Sequence, residues 1–450
     1  MSISFFFTTF AAQSIALICS AQASTIKLAI MTAIVGFMNK RGVAVAADSA
    51  VTLGNTHKVV NTGNKIFTLS KHAPVGIATY GNASFMETPW EIVVKLYRKQ
   101  LGRKKFNLLE DYISSFVDFL HKEDFFMKEE YKRKILFQRA VIFYNISVEK
   151  SKKINGYSPS EASAFLRQEL NTCKLINSKA MSLDLPEMRT YKYKHFIGYF
   201  YEIFLNNIGR MPLLQTKEMQ DAFLQSFYQF LLVYVQSESD SGLVFFGYGE
   251  KEIYPSIVNL MVADSFDGRL RYKRMDGNSF SVSTGGHTAV VIPFAQVDVS
   301  QTIIRGINPN FIDILRASLV TILNGYREAI LAAIPSTHDN AKSINVIKTL
   351  NHDALAQQFV NNATSEFNKH YTDILMSTVA GLSKEDMANL AESLVELTSI
   401  VRRMSPTEET VGGPVDVAVV SKGDGFIWLK RKHYFDPKLN TNFINTYNDD

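Results

Sequence analysis

Apolar positions along the chain follow two rhythms. From Thr32 onward, short apolar runs are broken by polar turns. Ala33-Ile34-Val35-Gly36-Phe37-Met38 and Val43-Ala44-Val45-Ala46-Ala47 flank Asn39-Lys40-Arg41-Gly42, which predicts a hairpin of buried strands. Ile66-Phe67-Thr68-Leu69 and Val75-Gly76-Ile77-Ala78-Thr79-Tyr80 read as the next pair. Between 90 and 235 the spacing turns helical, as in Leu108-Leu109, Tyr112-Ile113, Phe116 and Phe119-Leu120. Aromatics crowd this stretch, for example Phe125-Phe126 and Tyr199-Phe200-Tyr201. Such a stripe is either a binding surface or the inner side of packed helices, and the inner side is expected, because stripes usually face a core.

Strand patterns return at Leu243-Val244-Phe245-Phe246 and Ile257-Val258-Asn259-Leu260-Met261-Val262. A turn at Asp267-Gly268 and a further strand at Ala289-Val290-Val291-Ile292 follow. A second helical block runs from Pro309 to Arg403. Val415 to Val420, the turn Lys422-Gly423-Asp424-Gly425, and Phe426-Ile427-Trp428-Leu429 close the chain as a hairpin. Strands, helices, strands, helices, strands is the order of an α+β protein whose sheet segments come from distant parts of the chain. The expected organisation is a core built from 32–99, 241–300 and 405–435, helical regions at 100–240 and 301–404, a tail at 436–450 and a leader at 1–31.

Composition narrows the function classes. With 450 residues, 46% of them apolar, the chain can bury sizeable cores. The 48 Lys+Arg against 43 Asp+Glu leave no basic footprint, so no nucleic-acid partner is expected. Two cysteines and the lack of an HExxH motif give no disulfide framework and no metal site. Gly247-Tyr248-Gly249 lacks the following Gly and Lys of a phosphate loop.

Ser4 to Ala23 is apolar and ends in Ala21-Gln22-Ala23, which fits a signal-peptide cleavage site, but no Lys or Arg precedes it. The other reading is translation from Met31. The first implies a periplasmic or secreted protein, the second a cytoplasmic one. No other stretch stays apolar for the roughly 18 residues a membrane span needs.

Candidate chemistry begins at Thr32. Four pieces occur in order: Thr32-Ala33-Ile34-Val35, Gly42-Val43-Ala44-Val45-Ala46-Ala47-Asp48-Ser49, Thr52-Leu53-Gly54-Asn55-Thr56 and Asn64-Lys65-Ile66-Phe67. This set resembles the start of a proteasome-type β subunit, and the Thr-Leu-Gly-Asn-Thr piece is similar to the bacterial two-ring peptidase of that family. Glu408-Glu409-Thr410-Val411-Gly412-Gly413 is similar to the family's acidic-x-x-Ser-Gly-Gly segment. The middle of the chain is unmatched.

The resemblance implies an N-terminal nucleophile (Ntn) hydrolase with a four-layer αββα sandwich, here carrying large helical insertions. It also implies a peptide or amide substrate, self-association and no cofactor. A threonine hydroxyl needs a base within hydrogen-bond reach. When Thr is the first residue its own α-amine serves, with an ordinary pKa of about 7.7–8.0, and a nearby lysine ammonium lowers that value. Thr32 is the expected nucleophile, Lys65 the cation and Asp48 the carboxylate that balances it. By the resemblance, a backbone N–H at Gly81 is the oxyanion donor. Glu408 stands at the family's acidic position, and Asp298 is the nearest counterpart of a Gly-Ser-Gly-Ser-like segment.

Each residue also has a plain structural role to fill. Thr32 fits a strand, Asp48 a turn cap and Lys65 a strand edge. Three departures bear on activity. Met31 precedes Thr32 where the family has Gly, Val411 replaces the family's Ser, and the chain is far longer than a β subunit. Removal of an initiating Met31 would expose Thr32 directly. The alternative expectation is an inactive scaffold or binding protein of the same fold, whose helical insertions recruit a partner.

Overall fold

In the computed structural model, residues 32–450 are described except for 54–57, 123–127, 154–157, 159–160, 181–184, 235–236, 238–239, 336–339, 406–410, 434, 437–438 and 442–450. The principal strands in chain order are β1 (Ile34–Asn39), β2 (Gly42–Ala47), β3 (Ile66–Thr68), β4 (Val75–Gly81), β5 (Ser241–Gly247), β6 (Ser256–Phe266), β7 (Arg269–Arg274), β8 (Ala289–Ala295), β9 (Asp416–Ser421) and β10 (Gly425–Lys430). Between β4 and β5 lie α1 (Trp90–Leu101), α2 (Leu109–Lys122), α3 (Glu129–Lys152), α4 (Ala162–Ala180), α5 (Tyr193–Asn206) and α6 (Lys217–Leu231). Between β8 and β9 lie α7 (Val297–Arg305), α8 (Pro309–Ala333), α9 (Ala341–Lys348), α10 (His352–His370), α11 (Thr372–Gly381) and α12 (Lys384–Met404).

The protein is therefore mixed α+β, with antiparallel sheets. It divides into two compact units. The described part of one comprises Asn64–Glu252 and Ile257–Phe280; the other comprises Met31–Gly63, Ile253–Ser256 and Ser281–Asp450. The stretch 32–99, expected as one piece of core, is shared between them at the Gly63–Asn64 bond. Of the αββα sandwich expected from the sequence, each unit by itself contains one large antiparallel sheet packed on helices, with a separate two-stranded ribbon beside it, Val51–Leu53 with Lys58–Val60 in one and Ser84–Phe85 with Thr88–Pro89 in the other.

In the unit that holds Thr32, the sheet order is β8-β1-β2-β9-β10. β1 and β2 form a hairpin in the register Ile34↔Ala47 to Asn39↔Gly42, so Lys40 and Arg41 are its two-residue loop. Val35, Phe37, Ala44, Ala46, Val291, Val417 and Val419 pack on Val379 of α11 and on Met387, Ala388, Ala391 and Val395 of α12. Alanines at 44, 46, 388 and 391 let helix and sheet approach closely. The alternate residues Ile34, Met38, Val43, Val45, Ile292 and Val420 are buried as well. That is why these strands read as continuous apolar runs instead of alternating ones. Ser383 caps α12, its side chain accepting from the Asp386 N–H in a capping box.

In the other unit the sheet order is β7-β6-β5-β4-β3. Val75, Ile77, Leu243, Phe245, Leu260 and Val262 pack on Trp90, Val93, Val94 and Tyr97 of α1 and Tyr112 and Phe116 of α2. A second cluster lies among the helices α3 to α6. Phe143, Phe196, Phe200, Phe204, Phe223 and Phe227 are all buried there, with Phe143 and Phe227 ring centroids 5.6 Å apart. Tyr199 and Phe200 of the aromatic-dense stretch thus lie on an inner helical face, while Phe125-Phe126 fall outside the described residues, and each buried ring contributes about 1.5–3 kcal/mol from burial. No helix among the described residues is long and apolar enough to cross a membrane.

Candidate functional site

Hairpin geometry sets the first half of the site. Ile34 pairs with Ala47, so the residues just outside that pair, Ala33 and Asp48, lie across from each other. The Asp48 backbone N–H donates to the Ala33 carbonyl at 3.1 Å, and the Ala33 N–H donates to Asp48 Oδ1 at 2.8 Å. The second carboxylate oxygen, Oδ2, accepts the N–H of Ala50 at 3.1 Å and of Gly412 at 3.2 Å. Asp48 is 1% exposed and Thr32 4% exposed. A buried carboxylate of this kind is sustained by several backbone donors, which replace the water it lost.

The Gly412-Gly413 segment closes on the same place. The Ser49 N–H donates to the Gly412 carbonyl at 3.1 Å, and Ser49 Oγ donates to the Pro414 carbonyl at 2.5 Å. Gly413 has φ +74°, and a Cβ there would lie 2.8 Å from Cβ of Asn61. The structure thus gathers Thr32, Asp48 and the Gly412-Gly413 segment. Val411, which stands where the family that the sequence resembles has serine, is fully buried in the helix–sheet core.

Lys65 and Gly81 belong to the other unit. Lys65 is buried just before β3, and its carbonyl accepts the Thr79 N–H at 2.8 Å. Gly81 ends β4, paired with Ser241, at φ +77°. A Cβ on Gly81 would come within 2.6 Å of the Asp240 carbonyl, so this backbone path requires glycine.

Asp298 lies in the first turn of α7, half exposed, and its carboxylate pairs with Arg402 of α12. The structure therefore gives it a helix-pinning contact. Glu408 lies outside the described residues. Ser49, whose hydroxyl binds Pro414, was not singled out from the sequence. Its place beside Asp48 was the available signal, but its partner is 365 positions away.

No family model and no curated protein matches the sequence. Among solved structures the chain is similar to an Anbu (Gly-1) mutant from Hyphomicrobium sp. strain MC1, at 10% identity and a TM-score of 0.26, covering 93% of this chain and 94% of that one. It is also similar to Anbu (ancestral beta-subunit) from Yersinia bercovieri, at 9% identity and a TM-score of 0.28, covering 93% and 95%. At these values neither likeness carries an argument about fold or activity.

The resemblance to proteasome-type β subunits is corrected accordingly. No family model supports membership, and the two solved structures named above are Anbu proteins. The physical reason is local. A buried hairpin that ends in a carboxylate is a general solution to fixing a strand entry, so short motifs of that kind do not identify a family.

Proposed function

We propose that the protein hydrolyses peptide or amide bonds with Thr32 as nucleophile. The observation that supports this reading is the clamp around it. Thr32 is buried two positions before the first residue of β1, and the N–H of the intervening Ala33 is held by the Asp48 carboxylate at 2.8 Å. A nucleophile whose base is its own α-amine needs its backbone fixed, and such positioning lowers the barrier entropically.

In this reading the working chain begins at Thr32. Its Oγ1 bonds to the substrate carbonyl carbon as the hydroxyl proton passes to the α-amine. The carbon–nitrogen bond then breaks, with that proton going to the leaving amine. Water hydrolyses the resulting ester and restores Thr32. The roles of Lys65 in lowering the amine's pKa and of the Gly81 N–H in holding the oxyanion belong to this reading; the first rests on the chemistry of the residues, the second on the resemblance their sequence carries. Glu408 and Asp298 have supporting roles in it on the same footing. The test is hydrolysis of a panel of peptide amides. Thr32→Ala abolishes turnover and Thr32→Ser retains part of it; equal rates for Thr32→Ala end the proposal.

A second reading, a binding protein without catalysis, is favoured by Val411, which sits in the apolar core and offers no hydroxyl. It is also favoured by α8, which buries none of its residues and exposes Phe311, Ile314, Ile322 and Tyr326. Self-association through such a face is compatible with either reading, and sedimentation velocity measures it.

A further inference from the structure

Four charged side chains are packed together at the base of the Gly81 turn. Asp264 lies in a β-bulge between Val262 and Ser265 of β6, opposite Arg271 of β7. Arg271 is 1% exposed; its Nη1 pairs with Asp264 Oδ1 at 3.1 Å, and its Nε donates to the Leu231 carbonyl at the end of α6 at 3.1 Å. Arg139, from the middle of α3, places Nε 2.6 Å from Asp264 Oδ2 and Nη2 3.8 Å from Asp240 Oδ1. The Asp240 side chain is fully buried and also accepts from the Tyr234 hydroxyl at 3.1 Å and from Ser237 Oγ at 2.8 Å.

The backbone of Asp240 carries the turn. Its carbonyl accepts the Asn82 N–H at 3.0 Å, and it is the atom that a Cβ on Gly81 would strike. Ser241 Oγ donates to the Asn82 carbonyl at 2.8 Å, so Asn82 is held from both sides by residues 240 and 241. Buried charge groups of this kind are stable only when every partner stays in place, so movement at one is felt at the others.

We infer that Arg139 is a positioning residue, through which the helices α3 to α6 set the backbone of the Gly81-Asn82 turn by way of Asp240. The inference deepens the proposed function, because it relies on that reading for the turn's catalytic role. Arg139 touches no reacting atom; it acts through the Asp240 side chain. Burial pushes the Asp240 carboxyl up, and Arg139 is the strongest influence opposing that shift. Removing the guanidinium takes from the Asp240 carboxylate the strongest influence that opposes its burial, at the point where the turn is anchored.

Peptide-resolved hydrogen exchange on the full chain tests this. In Arg139→Met, exchange across 80–83 rises roughly tenfold, the loss expected when one anchored hydrogen bond is released. Amides at the centre of β4 and β5, such as Ile77 and Phe245, keep their protection. Arg139→Lys restores the turn in part, and where turnover is measurable Arg139→Met lowers kcat more than it changes KM. Unchanged exchange at 80–83, or an equal rise everywhere, overturns the inference. Should Arg139→Met fail to fold, Asp240→Asn removes the charge at constant size and is read the same way. The exchange result does not depend on catalysis. An inactive parent protein that shows the response removes the hydrolase reading alone, and an active one that lacks it removes the coupling alone.

Discussion

The Asp48 carboxylate accepts the backbone N–H of Ala33 at 2.8 Å, while the Asp48 N–H donates to the Ala33 carbonyl at 3.1 Å. This reciprocal pair fixes the residue after Thr32 through both of its backbone polar groups. The carboxylate's other oxygen reaches Gly412, so one side chain ties together the beginning and the end of the core sheet.

Replacing Asp48 tests the clamp. Asp48→Ala leaves the buried N–H groups of Ala33, Ala50 and Gly412 without an acceptor and is expected to cost about 3 kcal/mol. Urea unfolding should show a lower midpoint at unchanged slope. Asp48→Asn keeps the volume but offers one acceptor oxygen, and should fall between the two.

Much of this clamp was legible in the sequence because hairpin register is local. Apolar runs on either side of Asn39-Lys40-Arg41-Gly42 place Ala33 opposite Asp48 once the loop length is known. The closing hairpin was legible for the same reason: Ser421 pairs with Gly425 around the polar turn between them. Long-range polar pairing was not. Asp298 finds Arg402 only through the packing of α7 on α12, and no spacing announces that contact. The charges of Arg139, Asp240, Asp264 and Arg271 look like solvated positions in a linear reading, yet they are buried together. The division at Gly63–Asn64 falls in Asn61-Thr62-Gly63-Asn64, a turn composition that does not distinguish a unit boundary from an ordinary loop, so the boundary is visible only in the folded chain.

Gly81→Ala tests the turn from the backbone side. A side chain there must adopt φ +77° and approach the Asp240 carbonyl. The expected cost is about 1–3 kcal/mol, read from the thermal midpoint. A midpoint equal to the parent's would mean that the strand end relaxes freely.

The helical aromatic cluster should behave as a close-packed core. Phe227 is fully buried against Phe143, Phe196, Phe200 and Phe223. Phe227→Ala is expected to cost about 3–5 kcal/mol, and Phe227→Leu clearly less. Near-neutral unfolding energetics for Phe227→Ala would contradict the packing described.

Alkaline stability follows from buried phenols. Burial pushes Tyr80, Tyr97 and Tyr248 each from 10.0 up to about 12. For Tyr80 a hydrogen bond from Asn259 Nδ2 at 2.9 Å partly offsets the rise. Because the folded values lie above the unfolded one, these residues' contribution is fully present below about pH 10 and is lost as pH climbs through about 12. Tyrosinate absorbance should therefore appear together with loss of circular dichroism over that window. Ionisation complete at pH 10 with the fold intact would contradict the burial of these rings.

The proposed reaction requires Thr32 to be a free N-terminal nucleophile. It is tested most directly by intact mass and N-terminal sequencing of the protein expressed from its native gene, before and after treatment with a threonine-reactive electrophile. The expected result is a chain beginning at Thr32 that gains a single adduct, and no adduct on Thr32→Ala. A chain that retains residues before Thr32, or an adduct that persists on Thr32→Ala, would contradict it.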